Sequence, residues 1–449
     1  MEINSKKKIL DKIHIVGGGP AGLSVGYYAT KLDIDVSVFE ASEFIGGNCK
    51  TLIDGDFRYD TGAHRLHDKN KFITREIKML LGNNLKRVTS PSKIYYKKKF
   101  YNFPIKVSDL VSNLSLFIIV KIIFENIFIR LRRKDSIKHF RDLAYNSYGK
   151  TISDMFLIPY TEKLWGDDAR NLDTSITGGR LKELNLKSLI KDMVKPRTKD
   201  SEHMEGVFYY PKLGFGEIFK ALGLSIGMDK IFLNREISCI NHDNEKILSF
   251  VDSNGTIIDV ENLVFTASLN TLIETLKPSP PKKIVNILNE INFRTLIICI
   301  MYLDMKNFSS NASIYFSDPR CPFTRIYEPK NRSAQMSPKE KTSIVIEVPI
   351  GERNIDESLS KDDIYDKVLK YLQNENLIDA KKILNYKLVK VNDAYPIITK
   401  DSKNSIEKIK NYLAKFKNLD LIGRNATFEY LHTHDIMERS RVLINKMAS

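Results

Sequence analysis

The chain has 449 residues, of which 42% are hydrophobic, enough for two or three domains with large buried cores. Its four cysteines (Cys49, Cys239, Cys299 and Cys321) include no C-x-x-C pair, which argues against a disulfide framework and fits a reducing compartment. The net charge of +15 permits an anionic partner. However, no zinc-finger, basic-zipper or ribonucleoprotein pattern accompanies the charge, so we predict no nucleic-acid binding.

The chain begins with a pattern typical of a βαβ unit. The opening residues MEINSKKKIL lack the apolar stretch and cleavage site of a secretory signal, which predicts a cytoplasmic protein. Residues 13–16 (IHIV) and 35–40 (DVSVFE) are predicted strands, and AGLSVGYYATKL between them is a predicted helix. This arrangement predicts a parallel sheet that opens into a nucleotide site.

A glycine motif lies between the first strand and the helix. In Gly17-x-Gly19-x-x-Gly22 the first glycine allows a tight turn, the second lets a pyrophosphate approach the backbone, and the third lets helix and strand pack closely. Glu40 ends the second predicted strand, where a carboxylate accepts hydrogen bonds from an adenosine ribose. The helix N-terminus faces the phosphates with its positive end. Together these features predict a dinucleotide site.

A glycine doublet after the second strand distinguishes a flavin dinucleotide from a nicotinamide dinucleotide. Gly46 and Gly47 follow Glu40 by six residues. A simple nicotinamide-binding unit does not need this doublet, whereas an extended flavin cofactor requires the chain to stay near the pyrophosphate as it leaves the second strand. We therefore predict that the cofactor is FAD.

Residues from about 105 to 193 have a mainly helical pattern. The longest apolar run, Leu114–Ile129, is interrupted by Lys121 and Glu125 and is short for a bilayer span. It has two interpretations. The preferred one is a helix buried within a helical subdomain. The alternative is an amphipathic helix on an anionic membrane, with peripheral contact through residues 110–134 at the inner face.

From Gly214 onward the pattern changes to mixed helices and strands. It predicts a helix at GEIFKALG, one strand at KIFLNREISCI, two strands around the turn at residues 252–255, and a buried strand at ENLVFTAS. The proline-rich KPSPPKK marks a crossing between domains. TLIICIMYLD and TSIVIEVPI predict a second sheet, with a helix at 360–374. A strand ending at Gly423-Arg424 and a helix beginning at Asp435 follow.

These motifs resemble the group of FAD enzymes that includes amine oxidases, protoporphyrinogen oxidase and UDP-galactopyranose mutase. The resemblance implies an α/β fold (α+β overall), with a Rossmann-like FAD-binding domain of the glutathione-reductase/amine-oxidase type. That domain would comprise residues 8–104, 214–275 and 404–449. It would be interleaved with a helical substrate or lid domain at 105–200 and an antiparallel-sheet substrate domain at 276–403.

The glycine motifs and the resemblance together give the predicted cofactor contacts. By resemblance, Ile237 offers its backbone to the adenine, and Gly423-Arg424 brings the C-terminal segment to the pyrophosphate and flavin. The complete set is Gly17, Gly19, Pro20, Ala21, Gly22, Glu40, Ala41, Gly46, Gly47, Asn48, Gly62, His64, Ile237, Gly423, Arg424 and Tyr430.

Two stretches near the N-terminus are more similar to the mutase than to the oxidases. IGGNCKT has Asn48 after the doublet, where amine-oxidase relatives usually have arginine. DTGAHRLH is similar to the mutase's Gly-Pro-His-x-x-His, which implies that His64 lies beside the flavin and tunes its reactivity. His64 and His67 could also form half of a metal site, but no third ligand is evident, so no metal is predicted.

Three later stretches resemble the mutase's substrate site. YTEKLWG is similar to the start of its mobile loop, CPFTRIYEPK to its Pro-x-Thr-Arg-Ile-x-Glu-x-Lys, and DAYPIITKD to its Tyr-Pro-Ile. Arg325 would hold a diphosphate through paired charge-assisted hydrogen bonds. The resemblance implies that His64 and Arg325 are catalytic and that the substrate contacts are Tyr160, Trp165, Arg180, Arg325, Tyr395 and Tyr430.

The mutase resemblance implies pyranose–furanose interconversion of a nucleotide-diphosphate sugar through a flavin N5–sugar adduct, for surface-glycan biosynthesis. The flavin would be reduced by NAD(P)H or another external donor, and an oligomer is compatible with this activity. Other stretches differ: VFYYPKLGFGEIF is oxidase-like, and His432 and His434 replace two aspartates of the mutase tail. The alternative is therefore an FAD-dependent oxidoreductase acting on an amine, a porphyrinogen or a glycan-related substrate.

Overall fold

A computed structural model describes residues 12–131, 136–177, 206–351 and 354–449. Five parallel strands form what we call the nucleotide sheet. In spatial order they are Leu419–Leu421, Leu263–Phe265, Lys12–Val16, Asp35–Phe39 and Ile231–Phe232. The N-terminal strand is therefore central, and the edge strand next to Leu263–Phe265 comes from the C-terminal part of the chain.

Alternation along the central strand places the nucleotide sheet between two layers. Ile13 and Ile15 belong to one core cluster, with the helices Pro20–Thr30, Glu217–Ile226 and Thr433–Ala448. Val16 belongs to a second cluster with residues of a smaller sheet. Successive residues of a strand point to opposite faces, so both faces of this sheet are buried, as is usual for parallel strands.

The smaller sheet has four strands, which in spatial order are Ile257–Asp259, Ile247–Asp252, Ile237–His242 and Leu276–Lys277. The single strand expected at KIFLNREISCI is in fact two: Ile231–Phe232 belongs to the nucleotide sheet and Ile237–His242 to the small sheet. The chain turns between them at Asn234, whose φ is +54°. The expectation of one strand was wrong because the apolar pattern runs through this turn.

The large sheet has seven strands, which in spatial order are Ile383–Pro396, Phe293–Leu303, Thr342–Ile350, Arg325–Tyr327, Ser313–Phe316, Ser92–Tyr96 and Lys99–Phe103. All neighbours are antiparallel except Ser313–Phe316 and Ser92–Tyr96, which are parallel. The two strands between residues 92 and 103 therefore extend this sheet, although the sequence assigned them to the FAD domain. Ser92–Tyr96 joins the sheet through Ser313–Phe316, which lies more than 200 residues later in the chain, and Lys99–Phe103 pairs with Ser92–Tyr96 as the edge strand.

The helical region contains helices Val107–Asn113, Leu116–Leu131, Phe140–Tyr148, Lys150–Ile152 and Ile158–Trp165. The helix predicted to be buried, Leu116–Leu131, instead exposes large apolar side chains such as Phe117 and Phe128, which are 79% and 70% exposed. Lys121 is exposed, whereas Glu125 points inward to Thr151. Within the described residues, no helix is long and apolar enough to cross a membrane.

The remaining elements connect these layers. The terminal helix begins at Thr433 rather than at Asp435, because the Asp435 carboxylate accepts a hydrogen bond from the His432 amide and caps the helix. Within the described ranges, two strand pairs lie outside the main sheets: Thr51–Asp54 with Phe57–Asp60, and Leu85–Thr89 with Val207–Pro211. The other helices are Lys71–Leu81, Leu269–Thr275, Lys282–Val285, Lys361–Asn374, Lys400–Leu413 and Arg424–Thr427.

Candidate active site

The glycine turn after the first strand is packed so closely that two of its glycines cannot carry a side chain. Gly17 has a φ of +104°, and a Cβ there would lie 2.4 Å from Thr266 Oγ1. A Cβ on Gly22 would lie 1.8 Å from the carbonyl oxygen of Gly17. Gly19 differs, because the atom nearest to its Cβ would be 3.7 Å away, on Gly47. Gly17 and Gly22 thus fix the backbone, and Gly19 lines an open cavity.

The second glycine doublet lies directly against this turn. The Gly46 amide donates to the Gly18 carbonyl oxygen at 2.8 Å. Gly46 and Gly47 have φ values of +104° and +51°, which favour glycine. A Cβ on Gly47 would lie 3.1 Å from Gly19 Cα. The chain therefore stays close to the turn after leaving the second strand, as the sequence predicted for an extended cofactor.

Glu40 follows the second strand and faces the same turn. Its carboxylate accepts hydrogen bonds from the Gly18 amide at 2.6 Å and from the Ser42 amide and hydroxyl at 2.9 and 2.7 Å. The Arg235 amide donates to the Glu40 carbonyl oxygen at 2.9 Å and brings the start of the small sheet, at Ile237, to this position. An acceptor at this place suits the hydroxyl groups of a ribose.

The C-terminal segment completes the turn. Gly423 has a φ of +100°, and a Cβ there would lie 2.8 Å from the Cβ of Ala21. The strand Leu419–Leu421 therefore ends beside the N-terminus of the helix Pro20–Thr30. Unpaired amides and the positive end of the helix dipole make such an N-terminus an anion site.

A cavity of about 910 Å³ contains both the glycine turn and the side chains expected to bind substrate. This volume lies within the usual range for ligand sites. Gly22, Gly46 and Gly62 do not line the cavity, and Arg180 lies outside the described residues. The predicted residues that line it are Gly17, Gly19, Pro20, Ala21, Glu40, Ala41, Gly47, Asn48, His64, Tyr160, Trp165, Ile237, Arg325, Tyr395, Gly423, Arg424 and Tyr430.

His64 lies in the cavity wall as a neutral imidazole. Its Nε2 lies 2.9 Å from the Asn48 carbonyl oxygen, which can only accept, so Nε2 carries the proton. The ring stacks on Phe215, with the ring centroids 5.3 Å apart. Burial, together with the charges of Arg424 and Arg332, lowers the pKa of His64 to about 3.

We expect the free energy of unfolding to depend on pH through His64. Its pKa is about 3 in the folded protein and 6.5 in the unfolded chain, so its stabilising effect is complete above pH 6.5 and is lost as the pH falls toward 3. Between pH 7 and pH 5 the loss is about 2 kcal/mol. Urea unfolding at pH 7 and pH 5 of cofactor-stripped wild-type and His64→Gln proteins measures the loss of unfolding free energy in each protein. Equal losses in the two proteins would contradict the assignment.

Cys49 and His64 do not form a thiolate–imidazolium pair. The Cys49 Sγ lies 3.9 Å from His64 Nδ1. Burial raises the pKa of the Cys49 thiol to about 12. Both pKa shifts favour neutral groups, so the pair lacks the thiolate that nucleophilic catalysis by cysteine needs. This agrees with the absence of a cysteine-nucleophile motif in the sequence.

Arg325 is held by a carboxylate that the sequence did not predict. Arg325 and Glu347 stand directly opposite each other on neighbouring antiparallel strands. Arg325 Nε donates to Glu347 Oε2 at 2.9 Å, and Nη2 donates to both carboxylate oxygens at 2.7 and 2.6 Å. Burial lowers the pKa of Arg325, but Glu347 outweighs burial and holds this pKa well above its ordinary value. Nη1 has no acceptor among the described residues and remains available to a ligand.

Arg424 lies among aromatic side chains. Its guanidinium carbon is 5.4 Å from the Tyr395 ring centroid and 5.0 Å from that of Tyr430. Trp165 is 4% exposed and packs against both tyrosine rings. The nitrogens of Arg424 donate to backbone carbonyls, with the shortest bond to Leu431 O at 2.7 Å. In the described part of the chain, no carboxylate pairs with this cation.

Two positioning residues escaped the sequence interpretation. Glu347 is the only acidic residue in the strand TSIVIEVPI, and this isolation within an apolar strand was the available signal. Arg332 is 2% exposed and donates to the His64 carbonyl oxygen at 2.9 Å, with its guanidinium 4.1 Å from the Tyr327 ring. Its sequence context, KNRSAQM, is typical of a surface loop and gave no such signal.

The residues of the cavity fit FAD. The open backbone at Gly19 and the helix N-terminus beside it suit a pyrophosphate, because a Cβ would fill the space that the phosphates need. The Glu40 carboxylate would accept from the adenosine ribose. The doublet and the wall at Asn48 and His64 would hold the flavin end. These residues would bind FAD as one extended ligand.

Two comparisons with known sequences agree with this fit. Residues 20–392 match the family model of the flavin containing amine oxidoreductases. L-amino-acid oxidase from Crotalus adamanteus is 37% identical over 67 residues, which are 15% of this chain. That match spans only 13% of the oxidase's own length.

Solved structures share the fold. Reduced UDP-galactopyranose mutase superposes with a TM-score of 0.85 at 17% identity, covering 97% of this chain and 95% of the mutase. A protein from Exiguobacterium sp. that is assigned as a protoporphyrinogen oxidase has a TM-score of 0.75 at 15% identity, covering 98% of both chains. Cyclohexylamine oxidase from Brevibacterium oxydans has a TM-score of 0.66 at 12% identity, covering 98% of this chain and 100% of the oxidase. Because the family model spans most of the sequence, this chain belongs to the flavin containing amine oxidoreductase family, whose cofactor is FAD.

Proposed function

We propose that the protein is an FAD-dependent sugar mutase that interconverts the pyranose and furanose forms of a nucleotide-diphosphate sugar. The cavity is the observation that carries this proposal, because the space that begins at the glycine turn also contains Arg325 and Arg424 among tyrosines. Arg325 would bind a phosphate oxygen through Nη1 in a charge-assisted hydrogen bond, and the charge of Arg424 would add to the attraction. The cavity thus offers a dinucleotide site and a second anion site together.

The electrostatic surroundings of His64 support an anionic substrate. The charges of three arginines, Arg424, Arg332 and Arg325, all act to lower the pKa of His64, after burial. These three cations lie close enough to act on His64, so a diphosphate bound beside this residue would gain from them.

The side chains of the cavity would bind and position the sugar nucleotide. Bound FAD in its reduced form, supplied with electrons by NAD(P)H or another external donor, would provide the nucleophile for the anomeric carbon. Arg325, through Nη1, would retain the diphosphate when it leaves, and Tyr160 and Tyr395 would assist it. The packed rings of Trp165 and Tyr430 would exclude water from the reacting sugar.

The test is an anaerobic assay with dithionite-reduced holoenzyme and a panel of nucleotide sugars. We expect a new isomer of unchanged mass, separable by chromatography, which forms only with the reduced protein. Oxidised enzyme is the control for the flavin state. Where the Arg325→Ala variant is assayed as well, Arg320→Ala is the control for loss of a positive charge, because Arg320 is 75% exposed. If no nucleotide sugar gives an isomer, the mutase proposal fails.

Net oxidation of a substrate is the second candidate, and the family match favours it. An amino acid carries a carboxylate that Arg325 or Arg424 could hold, so this class suits the cavity better than a simple amine does. Substrate-dependent bleaching of the oxidised flavin under anaerobic conditions, followed by reoxidation in air, would identify this activity. The mutase reaction produces no such change.

A further inference from the structure

We propose that the outer face of the helix Leu116–Leu131 docks the protein on an anionic lipid bilayer. This face, called the docking face below, consists of large apolar side chains that are 41% to 80% exposed. A contiguous apolar patch of this kind marks an interaction surface. Its members are Leu116, Phe117, Val120, Ile123, Phe124, Ile127, Phe128 and Leu131.

Two polar side chains of the helix, Glu125 and Asn126, point inward, the reverse of the arrangement in a helix that faces water. Glu125 accepts hydrogen bonds from the Thr151 amide and hydroxyl at 2.7 and 2.8 Å. Asn126 is 7% exposed and donates to the Ile122 and Tyr148 carbonyl oxygens at 2.8 and 3.2 Å. The hydrogen-bonding side chains thus fix the inner side, and the apolar side chains are left for an apolar environment.

Basic side chains lie near one end of the docking face and along one of its edges. Residues 97–131 contain six basic and two acidic side chains. Lys97, Lys98 and Lys99 are exposed at a hairpin tip, and Lys99 Nζ donates to the Asn113 carbonyl oxygen at 2.7 Å, which holds the tip near the start of the helix. Lys121 is exposed at the rim of the face. An apolar strip with a cationic border complements anionic headgroups above acyl chains.

The two acidic side chains of this segment, set against its six basic ones, leave residues 97–131 with a formal net charge of +4, and both acidic side chains are held by neutral hydrogen-bond donors. Asp109 accepts hydrogen bonds from the amide and side chain of Asn102, both at 2.8 Å, and Glu125 is bound to Thr151. A second copy of the chain on the same face would place like-charged borders against each other, because a two-fold contact pairs identical patches. Charge complementarity therefore favours a bilayer over a dimer.

The docked helix would lie in the plane of the interface. It has 16 residues, and no helix of the described residues is long and apolar enough to cross a bilayer. Helices that lie in the interface bury their apolar side at the boundary of headgroups and acyl chains, and their basic residues contact the headgroups. Docking through this face is independent of the reaction in the cavity.

Vesicle flotation with the FAD-loaded protein tests the proposal. We expect the wild-type protein to float with vesicles of phosphatidylglycerol and phosphatidylcholine, and much less with phosphatidylcholine alone. The triple variant Phe117→Glu, Phe124→Glu and Phe128→Glu should lower the bound fraction at least tenfold. The control Ile257→Glu changes a residue that is 69% exposed on a different sheet and should bind like the wild type. Salt at about 0.5 M should weaken binding.

Retained flavin absorbance shows that the triple variant is folded. The proposal is overturned if the wild-type protein does not float with anionic vesicles, or if the folded triple variant floats as well as the wild type. Sedimentation velocity gives the remaining outcome. If the wild type is a dimer that the triple variant converts to a monomer, and neither protein binds vesicles, the docking face serves a second copy and not a bilayer.

Discussion

Arg325→Ala is expected to lower the free energy of unfolding by about 3–5 kcal/mol, because it leaves Glu347 as a buried carboxylate without its partner. Glu347 is 1% exposed, and the three hydrogen bonds that it accepts from Arg325 would be lost. Of the residues that the structure describes, only Ala63 would still donate to that carboxylate, through its amide at 2.9 Å. Urea unfolding of the variant and the wild type measures the loss.

A double variant measures the energetic coupling between Arg325 and Glu347. Arg325→Met with Glu347→Gln removes both charges, so it should lose much less stability than the sum of the two single changes. Arg320→Ala is the matched control: its pair with Asp318 has a 75% exposed arginine, so solvent screens the pair and its loss should change stability little. Additive losses in the double variant would show that the two residues are not energetically coupled.

The single variant Arg325→Ala also distinguishes substrate binding from cofactor binding. The predicted role of Arg325 is to hold the diphosphate, so folded Arg325→Ala protein should keep its FAD while the substrate KM rises strongly. Unchanged sugar binding in a folded, yellow variant would count against that role even if the stability loss were as large as expected.

Of two substitutions in the glycine turn, Gly22→Ala should destabilise the fold, whereas Gly19→Ala should leave the fold stable and weaken FAD binding. Gly22→Ala would place a Cβ 1.8 Å from the Gly17 carbonyl oxygen, so the backbone must move, and we expect at least about 3 kcal/mol of destabilisation before any cofactor is added. In Gly19→Ala the nearest atom would be 3.7 Å from the new Cβ. This variant should fold with a loss of about 1 kcal/mol at most.

Cofactor binding should nevertheless fail in Gly19→Ala. Its methyl group would stand where a pyrophosphate must approach the backbone, so FAD affinity should fall at least about a hundredfold, or about 2.7 kcal/mol. Urea unfolding of the cofactor-free proteins gives the stability of both variants, and quenching of flavin fluorescence gives the affinity. Wild-type FAD affinity in Gly19→Ala would mean that the phosphates do not pass this residue.

The glycine turn could be predicted from the sequence because its requirements are local. Gly17 and Gly22 are fixed by backbone geometry within six residues, so the motif alone carries the information. The pair of Arg325 and Glu347 depends on the register between two strands, which the sequence of either strand does not contain. The motif comparison therefore found Arg325 and missed its partner.

The helix Leu116–Leu131 shows a different limit. Its apolar residues occur on nearly every side, so hydrophobic periodicity could not say which side faces the protein. The orientation is set by the contacts of Glu125 and Asn126 with the neighbouring helices, which are tertiary interactions. An expectation based on apolar content alone therefore placed the helix in the core.

The order of strands in the nucleotide sheet has a consequence for protein synthesis. The central strand Lys12–Val16 is translated long before the edge strand Leu419–Leu421 and Gly423, which must leave the ribosome before the proposed cofactor site is complete. Nascent chains that stop before this point would be colourless, however well their other sheets have folded. A yellow colour in the purified protein would therefore report that Gly423 had reached the glycine turn.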